Sequence, residues 1–231
     1  MPLQPGKLYI VATPIGNLQD ISLRLQTTLQ EVNIIAAEDT RRTRQLCNHL
    51  NIEKPNLIRC DETKEEHTAP ALIKNLELGQ SIALVSDAGT PCIADPGWKV
   101  VELARKHNIP VFPICGPSAI TSALSIAGFP ATPFTFYGFL DKKKSRSQNT
   151  LQTMFTSPHT SIFFEFPYRI EKTITQMQDI EPSRVICMIR EISKKYEQSH
   201  YGTVEQIGQQ LTTTKGEWSI VISPNHDRFR A

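Results

Sequence analysis

The amino-acid sequence predicts an α/β protein with two domains, a mostly parallel sheet in the first and a mixed sheet in the second. In the first half, apolar runs of strand length alternate with helix-length segments, which is typical of βα crossovers and a parallel sheet. In the second half the strand-like runs are farther apart and more often joined by loops. The length of 231 residues suits one large domain or two of about 100–130 residues each.

Five apolar runs in the first half are predicted to be strands, and four segments between them to be helices. The predicted strands are 7–12, 33–38, 57–61, 81–87 and 110–115. The first predicted helix is capped by Asp20 and has Ile21, Leu25, Leu29 and Val32 on one face. The second, 40–50, is capped by Asp39 or Thr40. The third is 69–78, with Pro70 in its first turn, and the fourth is 98–108.

The pattern changes after residues 116–128, which show helical spacing at Ile120, Leu124 and Ala127. Beyond them, the predicted strands are 161–166, 184–191 and 217–223, and the predicted helices are 168–180 and 204–213. We place the domain boundary near Gly116, which gives domains of residues 1–116 and 117–231.

Composition narrows the class of protein. Lys and Arg number 25 and Asp and Glu 23, a net charge of +2, so any nucleic-acid site must be a local basic patch. No apolar run reaches the ~18–20 residues of a membrane span, and the start MPLQPGKLYIVATP is a poor signal peptide. The five cysteines form no C-x-x-C pair, so we expect no metal site or disulfide framework. We expect a soluble, cytoplasmic protein.

Three loops of small residues follow predicted strands, at 12–17, 84–97 and 116–119. Ligands of open α/β sheets bind at the carboxyl ends of the strands, so three such loops at one edge favour a binding site. Asp87 could accept hydrogen bonds from a ribose diol or an amino group; alternatively it caps a local turn. The phosphate-loop, dinucleotide and nucleophile-elbow motifs are absent from the sequence.

Two charged segments admit two interpretations each. Residues 36–46 place Glu38 and Asp39 beside Arg41, Arg42 and Arg44, which suits a polar substrate but equally a capped, solvated helix start. The run 141–146 carries a local charge of +3, which suits contact with phosphates or a solvated loop. The aromatic residues just before it could stack on bases, although their alternation favours the core of a strand; they are Phe134, Phe136, Tyr137 and Phe139.

Several long blocks together resemble the ribosomal RNA methyltransferase branch of the tetrapyrrole methylase family, also called class III methyltransferases. The blocks are ATPIGNLQDIS (12–22), AAEDTRRT (36–43), LVSDAGTPCIADPG (84–97), GPSAITSAL (116–124), FYGFL (136–140), FFEFPYRI (163–170), REISKKYE (190–197) and KGEW (215–218). The resemblance runs from Leu8 to Ile222, and the SDAGTP block is particular to this branch.

The resemblance implies a reaction and its partners. S-adenosylmethionine would be the methyl donor, bound in a cleft between two α/β domains of the tetrapyrrole methylase type. The substrate would be the 2′-hydroxyl of a decoding-centre cytidine, cytidine 1402 of 16S rRNA in the small ribosomal subunit. The protein would be a homodimer. By motif, the cofactor contacts would be Pro14, Asp87, Thr90, Ser118, Ala119, Phe164 and Gly216.

Proton transfer and RNA binding need further residues. The candidates at the cleft for taking the proton of the 2′-hydroxyl are Glu38, Asp39, Glu165 and Glu191, with Arg41 or Lys194 stabilising negative charge; we expect Asp39 and Arg41 to lie closest to the ribose. RNA binding is assigned to Arg42, Arg44, Lys142, Lys143, Lys144 and Arg146.

One departure from the family pattern, Cys60 where a His is common, marks a position that tolerates change. The rival interpretations are a small-molecule methylase of the same fold and a non-catalytic RNA-binding module.

Overall fold

The computed structural model of the protein describes residues 6–229, which divide into two compact units with the break after Ser118. Each unit contains one five-stranded sheet with helices on both faces. The predicted α/β class is therefore confirmed. The domain boundary placed at Gly116 from the sequence stays a prediction. No helix among residues 6–229 is both long enough and apolar enough to span a membrane.

The first unit is built on a fully parallel sheet in the order β3-β2-β4-β1-β5. Its strands are β1 Leu8–Val11, β2 Ile34–Ala37, β3 Leu57–Arg59, β4 Ile82–Val85 and β5 Val111–Ile114. Its helices are α1 Leu23–Glu31, α2 Thr40–His49, α3 Glu65–Glu77 and α4 Trp98–Lys106. All five predicted strands and all four predicted helices of this half are present.

Two apolar clusters cover the two faces of this sheet. Helices α1 and α2 pack on one face through Leu25, Leu29 and Cys47. Helices α3 and α4 pack on the other, through residues such as Leu72 and Val100. The strands β2, β4 and β1 are buried on both sides, which explains their continuous apolar runs.

Two helix starts differ from the sequence prediction. Helix α1 is capped by Ser22, because Asp20 belongs to a short 3₁₀ turn, Leu18–Asp20, that precedes it. Helix α3 begins at Glu65 instead of residue 69, so Pro70 lies inside the helix. Polar residues open this helix, and an apolar-periodicity prediction therefore begins it too late.

The second unit has a mixed sheet in the order β6-β7-β10-β8-β9, in which only β6 and β7 are parallel among the described strands. Its strands are β6 Phe134–Phe139, β7 Thr160–Glu165, β8 Val185–Arg190, β9 Gln198–Thr203 and β10 Trp218–Ile222. Its helices are α5 Ala119–Ile126, α6 Lys144–Thr156, α7 Ile170–Ile180 and α8 Val204–Gln210. The predicted mixed sheet is confirmed.

The core of the second unit lies mainly between its sheet and the helices α6, α7 and α8. Helix α5 packs against the opposite face, where Ile162 and Val221 are buried. Two elements were not predicted. The sequence QSHYGT of β9 has few apolar residues, and the basic start of α6 resembles a loop.

Candidate functional site

The loops that follow β1, β4 and β5 are joined at the carboxyl edge of the first sheet. Thr13 and Gly89 exchange two backbone hydrogen bonds of 2.9 and 3.0 Å, and the Thr13 hydroxyl donates to the Ser86 carbonyl at 3.1 Å. Gly116 approaches Ala12 so closely that a Cβ at residue 116 would lie 2.8 Å from the Ala12 carbonyl oxygen. The expectation that three small-residue loops meet at one sheet edge is confirmed.

A pocket of about 390 Å³ opens beside these loops. It is lined by Thr13, Pro14, Leu18, Arg42, Thr43, Gln45, Leu46, Ser86 and Asp87. The chain leaves β2 towards β3 and leaves β4 in the opposite direction towards β5, so the adjacent strands β2 and β4 form a topological switch point. Ligands of open α/β sheets bind at such points.

Asp87 is the charged acceptor of this pocket. Its Oδ1 accepts the backbone N–H of Asp39 at 3.1 Å, and its Oδ2 lies 3.4 Å from Nε of Arg42. Burial raises the pKa of Asp87 above its ordinary value, against the opposing influence of the Arg42 guanidinium. The carboxylate is therefore positioned by backbone and held in a partly desolvated setting.

Glu38 lies next to Asp87 across the sheet. Its Oε2 accepts the backbone N–H of Asp87 at 3.1 Å. The pKa of Glu38 is raised, chiefly by burial. The hydrogen bond from the Asp87 N–H opposes this increase, and the neighbouring Asp87 carboxylate adds to it. A carboxylate with a raised pKa is a better proton acceptor near neutral pH than an ordinary one.

Asp39 and Arg41 form a closed pair at the start of α2. Asp39 caps the helix by accepting the Arg41 backbone N–H at 2.8 Å, and its two oxygens accept Nε and Nη2 of Arg41 at 3.1 and 2.7 Å. The hydrogen bonds from Arg41 hold the pKa of Asp39 well below its usual range. Such a carboxylate is a weak base, which argues against Asp39 as the proton acceptor.

In the second unit, Glu191 and Gly216 are in direct contact. Glu191 Oε1 accepts the Glu217 backbone N–H at 2.9 Å and the Lys194 ammonium at 3.0 Å. Burial opposes the change, but these two donors lower the pKa of Glu191. A Cβ on Gly216 would lie 2.5 Å from Cγ of Glu191. Glu191 thus holds the loop that precedes β10.

The other predicted cofactor residues lie at four places. Thr90 follows Gly89 in the joined loops, and Ser118 ends the loop after β5. Ala119 begins α5, and Phe164 is half-buried on β7 between Phe136 and Phe139, at ring-centroid distances of 5.0 and 5.5 Å. Pro14 and Asp87 share one pocket, whereas Ala119, Phe164 and Gly216 belong to the second unit.

The predicted RNA-binding cations fall into two groups. Arg42 and Arg44 are exposed on α2, where Arg42 also lines the pocket beside Asp87. The other four lie in the second unit: Lys142 and Lys143 are in the bend before α6, and Lys144 and Arg146 are in the first turn of the helix. Arg146 pairs with Asp141 at 3.3 Å.

Sequence reasoning missed Thr43, Gln45, Leu46 and Leu18 as pocket residues. The helical period could have found two of them, because residues 42, 45 and 46 share one face of α2. Glu165, also a candidate base, is buried and accepts the Thr173 hydroxyl at 2.7 Å.

Cys60 is a buried core residue. It packs in the cluster beneath α3 and α4, and burial raises the pKa of its thiol to about 12, with Glu65 adding to the increase. The thiol therefore stays protonated, and it offers neither a base nor a nucleophile. Within residues 6–229, no three His, Cys, Asp or Glu side chains are grouped to hold a metal ion.

Comparison with known proteins gives consistent matches. The family model described as Tetrapyrrole (Corrin/Porphyrin) Methylases matches residues 7–208. A protein of Xylella fastidiosa (strain Temecula1) named Ribosomal RNA small subunit methyltransferase I is 43% identical, over 98% of this chain and 85% of its own length. A Thermotoga maritima protein of the same name is 39% identical, over 94% and 98% respectively.

Two solved structures share the fold at low identity. Diphthine synthase superimposes with a TM-score of 0.71 at 12% identity, covering 94% of this chain and 89% of that one. Uroporphyrin-III-C-methyltransferase of Thermus thermophilus gives a TM-score of 0.63 at 16% identity, covering 94% of each chain. The match to the family model and the extent of identity with these relatives together show that the chain belongs to the tetrapyrrole (corrin/porphyrin) methylase family.

Proposed function

We propose that this protein is an S-adenosylmethionine-dependent methyltransferase of small-subunit ribosomal RNA, and that it methylates the 2′-oxygen of cytidine 1402 in 16S rRNA. The observation that carries the proposal is the identity of about two residues in five, over nearly the whole chain, with relatives named for that reaction class. The substrate being a ribosomal subunit, the reaction would take place in the cytoplasm. The proposal includes a homodimer, which light scattering of the purified protein tests.

The first-unit pocket fits part of such a cofactor. Pro14, Leu18 and Leu46 offer apolar walls of the kind that an adenine ring contacts, and Asp87 offers an acceptor for hydroxyl or amino groups. Bound S-adenosylmethionine would supply a methyl group on a sulfonium. We keep Thr90, Ser118, Ala119, Phe164 and Gly216 as proposed cofactor contacts. Weakened cofactor binding in Thr90→Ala, Ser118→Ala, Phe164→Ala or a bulkier Ala119→Val variant would support the first four.

Glu38 is the carboxylate best suited to take the proton of the ribose 2′-hydroxyl. Its pKa is raised, whereas Asp39 and Glu191 have lowered pKa values and Glu165 is occupied by Thr173. Oε2 of Glu38 binds the Asp87 N–H, which leaves Oε1 for the substrate. This replaces the expectation that Asp39 is the nearest base, and Arg41 becomes a residue that fixes Asp39.

Methyl transfer to small ribosomal subunits tests the proposal. Subunits from cells that lack this protein are incubated with it and with S-adenosylmethionine labelled in the methyl group. The RNA is then hydrolysed in alkali, which does not cleave the phosphodiester that follows a 2′-O-methylated ribose. Label in a dinucleotide that begins with cytidine is the expected result.

Two other results would count against the proposal. Label recovered in a mononucleotide places the methyl group on a base, which would exclude ribose methylation. No label in subunits or in free 16S rRNA, although calorimetry shows that the protein binds S-adenosylmethionine, would exclude the rRNA substrate and favour a small-molecule methylase. A boiled sample and the Glu38→Gln variant are the controls.

A further inference from the structure

Five aromatic rings form a continuous series on the second unit. Successive centroids lie 5.0 Å apart from Phe136 to Phe164, 5.5 Å from Phe164 to Phe139, 4.5 Å from Phe139 to Phe166 and 5.7 Å from Phe166 to Tyr168. The last three rings, Phe139, Phe166 and Tyr168, are nearly parallel, with interplanar angles of 15° at both steps. We call these three rings the aromatic ladder.

Tyr168, at the end of the ladder, is its most exposed ring. Phe139 is 43% exposed, Phe166 is half-buried and Tyr168 is 75% exposed. A ring stacked on one side only and otherwise open to solvent can accept another flat ring on its free side. The ladder therefore ends in a stacking surface.

A pocket of about 340 Å³ lies beside Tyr168, between the starts of α6 and α7. Lys142, Arg169 and Lys172 line it. The guanidinium of Arg169 is already used, since it donates to the carbonyls of Leu140 and Asp141 at 2.9 and 2.7 Å and lies 3.3 Å from Glu165. Arg169 thus fixes the wall of the pocket, and the binding charge comes from the two lysines.

Neither Lys142 nor Lys172 has a carboxylate within ion-pair distance in the part of the chain that the structure describes. The nearby acids are occupied: Asp141 pairs with Arg146, and Glu165 accepts the Thr173 hydroxyl. Two uncompensated ammonium groups beside an open aromatic ring are complementary to a phosphate next to a flat base.

We propose that the second unit binds a single-stranded segment of RNA here, with a base stacked on Tyr168 at the end of the aromatic ladder and the adjoining phosphate held by Lys142 and Lys172. Aromatic platforms flanked by basic side chains are the common device for binding single-stranded nucleic acids. The inference rests on the proposed function for the identity of the nucleic acid. An acidic protein segment could meet the two lysines but leaves the open face of Tyr168 without a flat ring, so RNA is the occupant that the charges and the ring together favour.

Fluorescence of a short single-stranded RNA that carries 2-aminopurine tests the stacking. Binding of the wild-type protein should quench the fluorophore, because stacking on an aromatic ring quenches it. Tyr168→Ala should lose the quench and weaken binding about tenfold or more, while Tyr168→Phe should retain both. Tyr196→Ala is the matched control, since Tyr196 is 62% exposed and lies outside the ladder. Equal quenching by wild type and Tyr168→Ala would overturn the proposal.

The phosphate contact has a separate signature. Lys172→Ala should reduce the slope of log K against log salt concentration by about 0.7, the value for one phosphate contact on a single strand. Lys74→Ala, an exposed lysine on α3, should leave the slope unchanged. If Lys172→Ala also leaves the slope unchanged, the phosphate assignment is wrong.

Cofactor binding separates this inference from the proposed function. If wild type and Tyr168→Ala bind S-adenosylmethionine and the RNA equally well and methylate rRNA equally well, the site is excluded and the function stands. If the wild-type protein binds neither RNA nor small subunits, both are excluded. A change in oligomeric state in Tyr168→Ala with unaltered RNA binding would assign the ladder to a contact between copies of the chain instead.

Discussion

The backbone N–H of Asp87 donates to Oε2 of Glu38 at 3.1 Å, which ties the segment after β4 to the segment after β2. In the other direction, Oδ1 of Asp87 accepts the backbone N–H of Asp39, the residue after Glu38. Two carboxylates are thereby held side by side with raised pKa values, and the guanidinium of Arg42 lies 3.4 Å from Asp87. The backbone of Asp87 therefore positions the proposed base Glu38, and the backbone of Asp39, the residue after Glu38, positions the carboxylate of Asp87.

Asp87→Asn should weaken S-adenosylmethionine binding with little change in fold. Asparagine keeps an oxygen for the Asp39 N–H but removes the charge that a cofactor hydroxyl or amino group would meet. A hydrogen bond to a charged group contributes about 1.5–3 kcal/mol, so calorimetry should show the Kd rise by about 10- to 150-fold. Ser81→Ala, remote from the pocket at the start of β4, is the control. An unchanged Kd would remove Asp87 from the cofactor site.

Glu38→Gln should lower kcat by about 10²–10⁴-fold, the range for loss of a general base, and should leave the Kd of S-adenosylmethionine nearly unchanged. The wild-type rate should fall on the acidic side with a midpoint above 4.5, the ordinary pKa of a glutamate. Asp39→Asn, which keeps the helix cap, should retain most of the turnover. The assignment is wrong if Asp39→Asn is the more damaging of the two under saturating cofactor.

The contributions of Glu38 and Asp39 to the free energy of unfolding should depend on pH in opposite directions. Folding favours protonated Glu38, so its contribution to stability is present below about pH 4.5 and is lost as the pH rises through its raised pKa. Folding favours ionised Asp39, so its contribution is present above about pH 3.8 and is lost as the pH falls. As the pH rises above about 4.5, the melting temperature of Glu38→Gln should therefore rise relative to wild type. The melting temperature of Asp39→Asn should lie below that of wild type above about pH 3.8, and this difference should shrink as the pH falls further. Parallel shifts of the two variants would contradict the opposed pKa directions.

Gly216→Ala should destabilise the second unit by about 1–3 kcal/mol through overpacking, since the new methyl group meets Cγ of Glu191 and residue 216 has a positive φ of 92°. In a Glu191→Ala background most of the steric cost should disappear, and about 1–2 kcal/mol of left-handed backbone strain should remain. Urea unfolding of the four proteins in this double-mutant cycle measures the difference. Equal costs in both backgrounds would show that Glu191 is not what excludes a side chain at 216.

The sheets were predictable because buried parallel strands leave continuous apolar runs, as at 81–87, and because small-residue loops followed them. The strand order was not predictable, since several orders satisfy the same runs. Strand β9 was not predicted because its sequence QSHYGT is largely exposed and has few apolar residues. Helix α6 was not predicted because residues 142–145 resemble a solvated loop. The helix is stabilised further along, where Leu151 and Met154 pack in the core.

The sequence predicted which segments form the candidate site, but not the chemical role of each residue in them. Sequence placed Glu38, Asp39 and Asp87 at strand ends, but it could not show that Asp39 is occupied by Arg41 while Glu38 is not. The aromatic residues of β6 were expected in a strand core; Phe136 packs against the core, whereas Phe134 and Phe139 are substantially exposed. Period-two alternation does not distinguish a buried face from one that awaits a ligand.

The paired hydrogen bonds between Thr13 and Gly89 involve main-chain atoms alone. Pocket side chains that lie outside these loops, such as Gln45 and Leu46 on α2, can therefore be exchanged while the hydrogen bonds between Thr13 and Gly89 stay intact. Proline is the exception at residue 13, because it has no N–H to donate to Gly89. For protein engineering, such pocket side chains can be redesigned separately from the backbone hydrogen bonds that join the loops.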